Sequence, residues 1–214
     1  METLPLAIPL AYIVTIFFIT LGPVKLIIPF AQLTAQAHPA VARSIALRSF
    51  MISTITVVIV AFTGATLFEK WQVSSGALHL TGGLVFLVFA LYGMHRVFRP
   101  PEKAGAPDNP TRALAVTPLT VPQTVTPPGI AALVVFTGAF KGDMAMTGKL
   151  VVVLLVIMVL NLIHMIAARW ILRVIGVAAV QIAGWVLAVL QVALSIQIMI
   201  WGLQLLGAFP MAQT

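Results

Sequence analysis

The 214-residue sequence predicts an all-α polytopic membrane protein, with six transmembrane helices arranged as two inverted three-helix repeats and broken first and fourth spans. Three observations carry that expectation. Hydrophobic residues make up 61% of the chain and charged residues only 8%; soluble domains carry roughly 25% charged residues, so a globule here could not be clothed in polar surface. Six apolar segments, each long enough to cross a hydrocarbon core of about 30 Å as a helix, are set apart by charges and turn formers. Pro and Gly interrupt two of the six, the opening segment of each half.

The first segment covers about residues 4–30. It begins after Glu2 and has no Lys or Arg before Lys25, so it lacks the positive start of a signal peptide and is expected to be retained. Gly22, Pro23 and Pro29 interrupt it, because a proline removes a helical hydrogen bond and clashes with the preceding turn. Thr20 and Lys25 flank the interruption, and Lys25 is the one Lys or Arg well inside a span. An intramembrane charge defaults to a functional reading; the competing reading is an ammonium that snorkels to the headgroups. The second segment, residues 45–68, places Ser49, Ser53, Thr56, Thr63 and Gly64 at helical spacing on one face. Small and hydroxylated stripes of this kind let membrane helices approach closely, with a solute path as the alternative. The third, residues 77–98, carries His79 and Thr81-Gly82-Gly83.

A hydrophilic linker at 99–112, rich in Pro and Gly, divides a single membrane domain (1–214) into repeats at 4–98 and 113–209. Three spans per half is an odd number, so a duplicated unit would lie inverted relative to its copy, as in many secondary transporters. The fourth segment, 114–140, is interrupted most severely, by Pro118, Pro122, Pro127, Pro128 and Gly129. Freed backbone groups in lipid need partners within the protein or in a water-filled cavity. Thr117, Thr120, Gln123, Thr124 and Thr126 bring hydroxyls and an amide to that break, suited to Na⁺ or a small zwitterion. The helix restarting near Pro128-Gly129-Ile130 is expected to offer backbone N–H groups to a carboxylate. The fifth segment, 150–170, holds Asn161 and His164, read with His79 as interhelical hydrogen-bonding groups ahead of proton relays. The sixth, 177–209, has a stripe of Gly184, Ala188, Gln191, Ser195 and Gly202, with Gln197 and Gln204 roughly opposite.

Orientation follows from Lys and Arg in the short loops. Arg43, Arg48, Arg96, Arg99, Lys103, Arg112, Arg169 and Arg173 flank odd-numbered loops, against Lys70, Lys141 and Lys149 at even-numbered ones. Eight against three places the odd loops in the cytoplasm and both termini outside, in a multi-pass inner (plasma) membrane protein. A re-entrant fourth segment would return the same count with the second half reversed; six full spans are preferred because the repeat requires them.

Several function classes drop out. There is no cysteine, and no metalloprotease, phosphate-loop or nucleophile-elbow motif, so an enzyme is not expected and neither is a bound cofactor or metal. All five acidic residues lie at span ends or in loops, which weakens a carboxylate proton relay. Basic residues sit beside spans with too little soluble surface to hold nucleic acid.

The chain resembles the six-span MarC family, which includes small neutral amino acid transporters. Pro23 through Phe30 followed by Leu33-Thr34 is similar to the family's first-span signature. Gly64 with Leu67, then Val73-Ser74, Leu78 and Gly82-Gly83, resembles its passage from the second into the third span. Pro118-Leu119, Pro122, Pro127 and Ile130 look like its fourth-span motif, and Gln197 with Gly202 like the end of its last span. The chain departs from that pattern at Gly22, at Lys25-Leu26 where small or polar residues are usual, at His79, and at Thr126-Pro127-Pro128 where the family has Gly-Pro-Gly. The resemblance implies a carrier of glycine- or alanine-sized amino acids with Na⁺ or H⁺ coupling, and a wider likeness to the lysine-exporter superfamily implies export as a direction. The expectation is therefore a secondary transporter or exporter of small neutral solutes, working by alternating access around the two broken spans. Its site residues are expected to be Thr20, Gly22, Pro23, Lys25, Thr120, Gln123, Thr124, Thr126, Gly129 and Gln197. The alternative is a non-transporting membrane protein with a regulatory or scaffolding role.

Overall fold

The computed structural model describes residues 10–70, 72–97, 112–140 and 143–208. The linker at 99–112 lies outside the described residues except for Arg112, and so do Glu2 and Lys141. Every regular element among the described residues is helical: α1 (Leu10–Leu21), α2 (Val24–Leu33), α3 (Pro39–Lys70), α4 (Ser75–Val97), an irregular segment from Arg112 to Thr124, α5 (Pro127–Ala139), α6 (Met144–Ile175) and α7 (Val177–Leu205).

Five stretches are long and apolar enough to cross a membrane, the first of them being α1 and α2 taken together (Leu10–Leu33). The sixth is the pair Ala113–Thr124 and Pro127–Ala139, bent by 59° at its break. Two apolar cores show how that pair runs. One core gathers Phe17 of α1, Val57 and Ala61 of α3, Leu133 and Phe136 of α5, and Leu150 through Met158 of α6. The other gathers Leu26 and Phe30 of α2, Ile45 and Ala46 of α3, Ala115 and Leu119 of the irregular segment, and Met165 and Ala168 of α6. The continuous helices α3 and α6 enter both cores, so the cores are stacked along the bundle. The limbs of the bent pair sit in different cores; a hairpin folding back would keep both limbs in one. The pair therefore runs through the bundle as a broken segment, which makes it the sixth candidate span.

Polarity is arranged as lipid demands. Large apolar side chains cover the outside, among them Ile55, Ile59, Leu84, Val88, Val156, Ile163, Val186 and Val189. The buried polar side chains include Thr20, Ser49, Ser53, Thr120, Thr124, Thr126 and Asn161. On α6 the outer stripe Val152, Val156, Val159, Ile163 follows helical spacing, while Leu150, Leu154, Ile157, Asn161 and Met165 face inward.

α4 packs chiefly on α7, α3 packs on α6 and on the broken fourth span, and the first span packs on α6 and meets α5. The α4–α7 contact is set by glycines. A Cβ on Gly202 would meet the Gly76 carbonyl and the Leu80 backbone N at 2.9 Å, and one on Gly83 would collide with Met199 and approach the Ser195 carbonyl at 2.8 Å. Gly184, expected in the same stripe, has open space around it, because that turn of α7 faces outward. Thr63 on α3 is likewise exposed, so the stripe on the second span packs through Ser49, Ser53 and Gly64. Pro29 does not interrupt the first span: α2 continues through it to Leu33. The proline sits nearly two turns beyond the real break, where its missing N–H deprives only the Lys25 carbonyl of its helical donor.

Gly202→Val should lower stability by about 1–3 kcal/mol through overpacking, whereas Gly184→Ala should leave it unchanged; thermal melting of the purified protein in detergent separates the two.

Candidate functional site

The first span breaks because of Gly22-Pro23. Pro23 has no N–H to continue the ladder, and the chain turns so closely at Gly22 that a Cβ there would collide with the Phe18 carbonyl. A helix end leaves its last four carbonyls without intrahelical donors, here those of Phe18 through Leu21. Two of them are taken by side chains from the other half. The Thr126 hydroxyl donates to the Thr20 carbonyl at 2.9 Å, and Asn161 Nδ2 donates to the Leu21 carbonyl at 2.8 Å.

The second break is built differently. From Val116 to Thr124 the chain turns with wide, five-residue spacing, and Thr117 and Val121 are extended in φ and ψ, each ahead of a proline. Hydroxyls bond carbonyls of the same segment, five residues back. Thr120 donates to the Ala115 carbonyl at 2.6 Å, Thr124 to the Leu119 carbonyl at 2.9 Å, and the Val125 N–H to the Thr120 carbonyl at 2.8 Å. Thr120 also lies 3.1 Å from the Ser49 hydroxyl on α3. Thr126 then caps α5, its side chain accepting from the Gly129 N–H at 3.2 Å while its carbonyl accepts from Ile130 at 3.0 Å.

These bonds correct one expectation. The N-terminus of α5 does not offer free N–H groups to a carboxylate, since Pro127 and Pro128 have none and those of Gly129 and Ile130 are both taken within the cap. The donors of Thr120, Thr124 and Thr126 are likewise committed to carbonyls. What the crossing still offers is mainly acceptors: the lone pairs of buried hydroxyls, and Asn161 Oδ1, which is buried without a hydrogen-bond partner.

The breaks touch. A Cβ on Gly129 would collide with Leu21, so only glycine lets α5 start this close to the end of α1. The negative end of α1 thus lies against the positive end of α5, which is the favourable arrangement of helix dipoles. Depth follows from α6. Asn161 stands 12 residues after Lys149 and 8 before Arg169, or about 18 Å and 12 Å along the axis at 1.5 Å per residue. The crossing therefore lies within the hydrocarbon region.

Thr20, Gly22, Pro23, Thr120, Thr124, Thr126 and Gly129 are all buried in or beside these breaks. Gln123 is half-buried on the irregular segment. Lys25 is half-buried on the first turn of α2, with no hydrogen bond or ion pair among the described residues. Gln197 is set apart, exposed on α7 while Ser195 and Ile198 face inward. His79 and His164 bond to the carbonyls of Ser75 and Leu160 on their own helices, not across helices as expected. Asn161 is the residue whose role at the crossing the sequence understated; its one available signal was being the sole carboxamide of its span. Among the described residues no group of three or more His, Asp or Glu side chains gathers where a metal could bind.

The model for the MarC family integral membrane protein matches residues 4–206. The chain belongs to the MarC family. No curated protein and no solved structure matches it. The match spans both broken helices, so the crossing belongs to the MarC core of the chain. Lys25 and Thr126 stand at the first and second break respectively.

Thr126→Val should remove both the α5 cap and the tie to Thr20, costing about 1–2 kcal/mol, while Thr126→Ser should retain most of the stability. Equilibrium unfolding in mixed micelles measures the difference.

Proposed function

We propose that this MarC protein is a secondary transporter of small neutral amino acids, working by alternating access around the paired breaks of its first and fourth spans. The observation that carries the reading is the polar crossing itself: two discontinuous helices meet at mid-membrane depth, joined by side-chain-to-carbonyl bonds and bearing an unpartnered amide oxygen. Discontinuous helices at the junction of two related halves are the usual setting of a transporter site. The close packing of α4 on α7, the third span of each half, supports two repeats.

The chemistry suggests how a zwitterion would be read. Asn161 Oδ1 and the hydroxyl lone pairs are acceptors, suited to an ammonium group or a coupling Na⁺. With the α5 N-terminus closed, the unpaired cation near the breaks is Lys25, one turn from Leu21, and it would meet the carboxylate. A glycine- or alanine-sized substrate suits a crossing so tightly drawn that Gly22 and Gly129 cannot carry a methyl group.

Reconstituted into proteoliposomes, the wild-type protein should exchange labelled glycine or alanine saturably, and Na⁺ and proton gradients applied in turn should identify the coupling ion. Absence of flux by folded protein would overturn the reading. Lys25→Met should cut exchange at least tenfold, equivalent to about 1.4 kcal/mol; unchanged kinetics would leave Lys25 only its snorkelling role.

A further inference from the structure

Away from the crossing, a cleft of about 180 Å³ opens where α2, the start of α3 and the last third of α6 converge. Phe30, Met165 and Ile166 form its apolar wall, and Arg43 and Arg169 stand at its rim. Arg169 is held in place, since its guanidinium donates to the carbonyls of Thr34 and Ala37 in the α2–α3 turn. Those bonds use one of its terminal nitrogens and leave further donors of the planar fork free. Arg43 is exposed and has no hydrogen bond or ion pair among the described residues.

No carboxylate among the described residues can neutralise this pair. The two that exist are Glu69 on α3 and Asp143 at the start of α6, each 26 residues from the arginine on its own helix. That separation is about 39 Å at 1.5 Å per residue, the far side of the bundle. Arg173 follows Arg169 by one turn and adds a third positive charge to the same end. The cleft's depth is marked by Trp170, which is 64% exposed beside Arg169, as tryptophans are at the headgroup level of a bilayer. Ile166, 52% exposed one turn deeper, continues the apolar wall toward the lipid.

We propose that this cleft binds the headgroup of an anionic phospholipid, its phosphodiester held between Arg43 and Arg169 and its acyl chain descending along Ile166. Arg recognises phosphate oxygens through paired N–H bonds, and basic pockets between membrane helices at the headgroup level hold anionic lipids. The apolar wall decides for a lipid over a free ion: inorganic phosphate would gain nothing from Phe30, Met165 and Ile166. A zwitterionic headgroup would bring its own ammonium toward two guanidiniums that no carboxylate among the described residues faces.

The test uses the full-length protein in a neutral detergent, titrated at matched ionic strength with short-chain phosphatidylglycerol, short-chain phosphatidylcholine and inorganic phosphate, with thermal melting as the readout. Phosphatidylglycerol should raise the melting temperature saturably, and the other two should not. Arg43→Gln should weaken the phosphatidylglycerol effect about tenfold or more without moving the lipid-free melting temperature. If Arg43→Gln does lower the lipid-free value, Arg43→Lys, which keeps the charge and loses the fork, should weaken lipid binding several-fold at unchanged lipid-free melting. Equal stabilisation by phosphatidylcholine, equal stabilisation by inorganic phosphate, or undiminished lipid response in the Arg43 variants would each overturn the proposal.

Discussion

The capture of two backbone carbonyls holds this bundle in its shape. Thr20 and Leu21 end α1 in a medium without water, where an unpaired carbonyl costs several kcal/mol. Thr126 and Asn161 satisfy them from the other half of the chain. Everything near the membrane's middle follows from that requirement. Gly129 must be small for α5 to approach, Thr126 must cap and donate at once, and Asn161 must face inward on a helix whose other faces are apolar. The two apolar cores lie on either side of this polar waist, so each half of each broken span has its own hydrophobic environment.

The same accounting narrows the chemistry of the crossing. Hydroxyls in a proline-rich segment are easily read as ligands for a solute. Here Thr120 and Thr124 donate to the Ala115 and Leu119 carbonyls five residues back, so their protons are spent within their own chain segment. Lone pairs remain, together with Asn161 Oδ1. A site made mostly of acceptors favours positively charged partners, which gives Lys25 a distinct place as the cation beside the first break.

Much of this was legible in the sequence because lipid enforces simple rules. Span positions follow from apolar length, and the breaks from Gly22-Pro23 and Pro127-Pro128, since backbone chemistry at those positions leaves little choice. The buried stripe through Ser49 and Ser53 followed from helical period. What was not legible depends on which partner a group finds. Pro29 reads as a breaker, yet α2 simply runs on past it. The free N–H groups expected at α5 are absorbed by Thr126, a local cap that two prolines and one threonine create together. Gln197 entered the expected site through the family resemblance, whereas the helical period had already set it opposite the Ser195 stripe, and there it lies, exposed.

The long reach of the two carbonyl bonds has a consequence for how the protein is made. Thr126 lies 106 residues after Thr20, and Asn161 lies 140 after Leu21. At about 5–20 residues per second of synthesis, the first span waits roughly 5–28 s before its partners have been made. During that interval the Thr20 and Leu21 carbonyls lack the partners they have in the folded chain, at a cost of several kcal/mol each in bare lipid. A wet or proteinaceous setting for the opening helices lowers that cost until the fourth and fifth spans arrive.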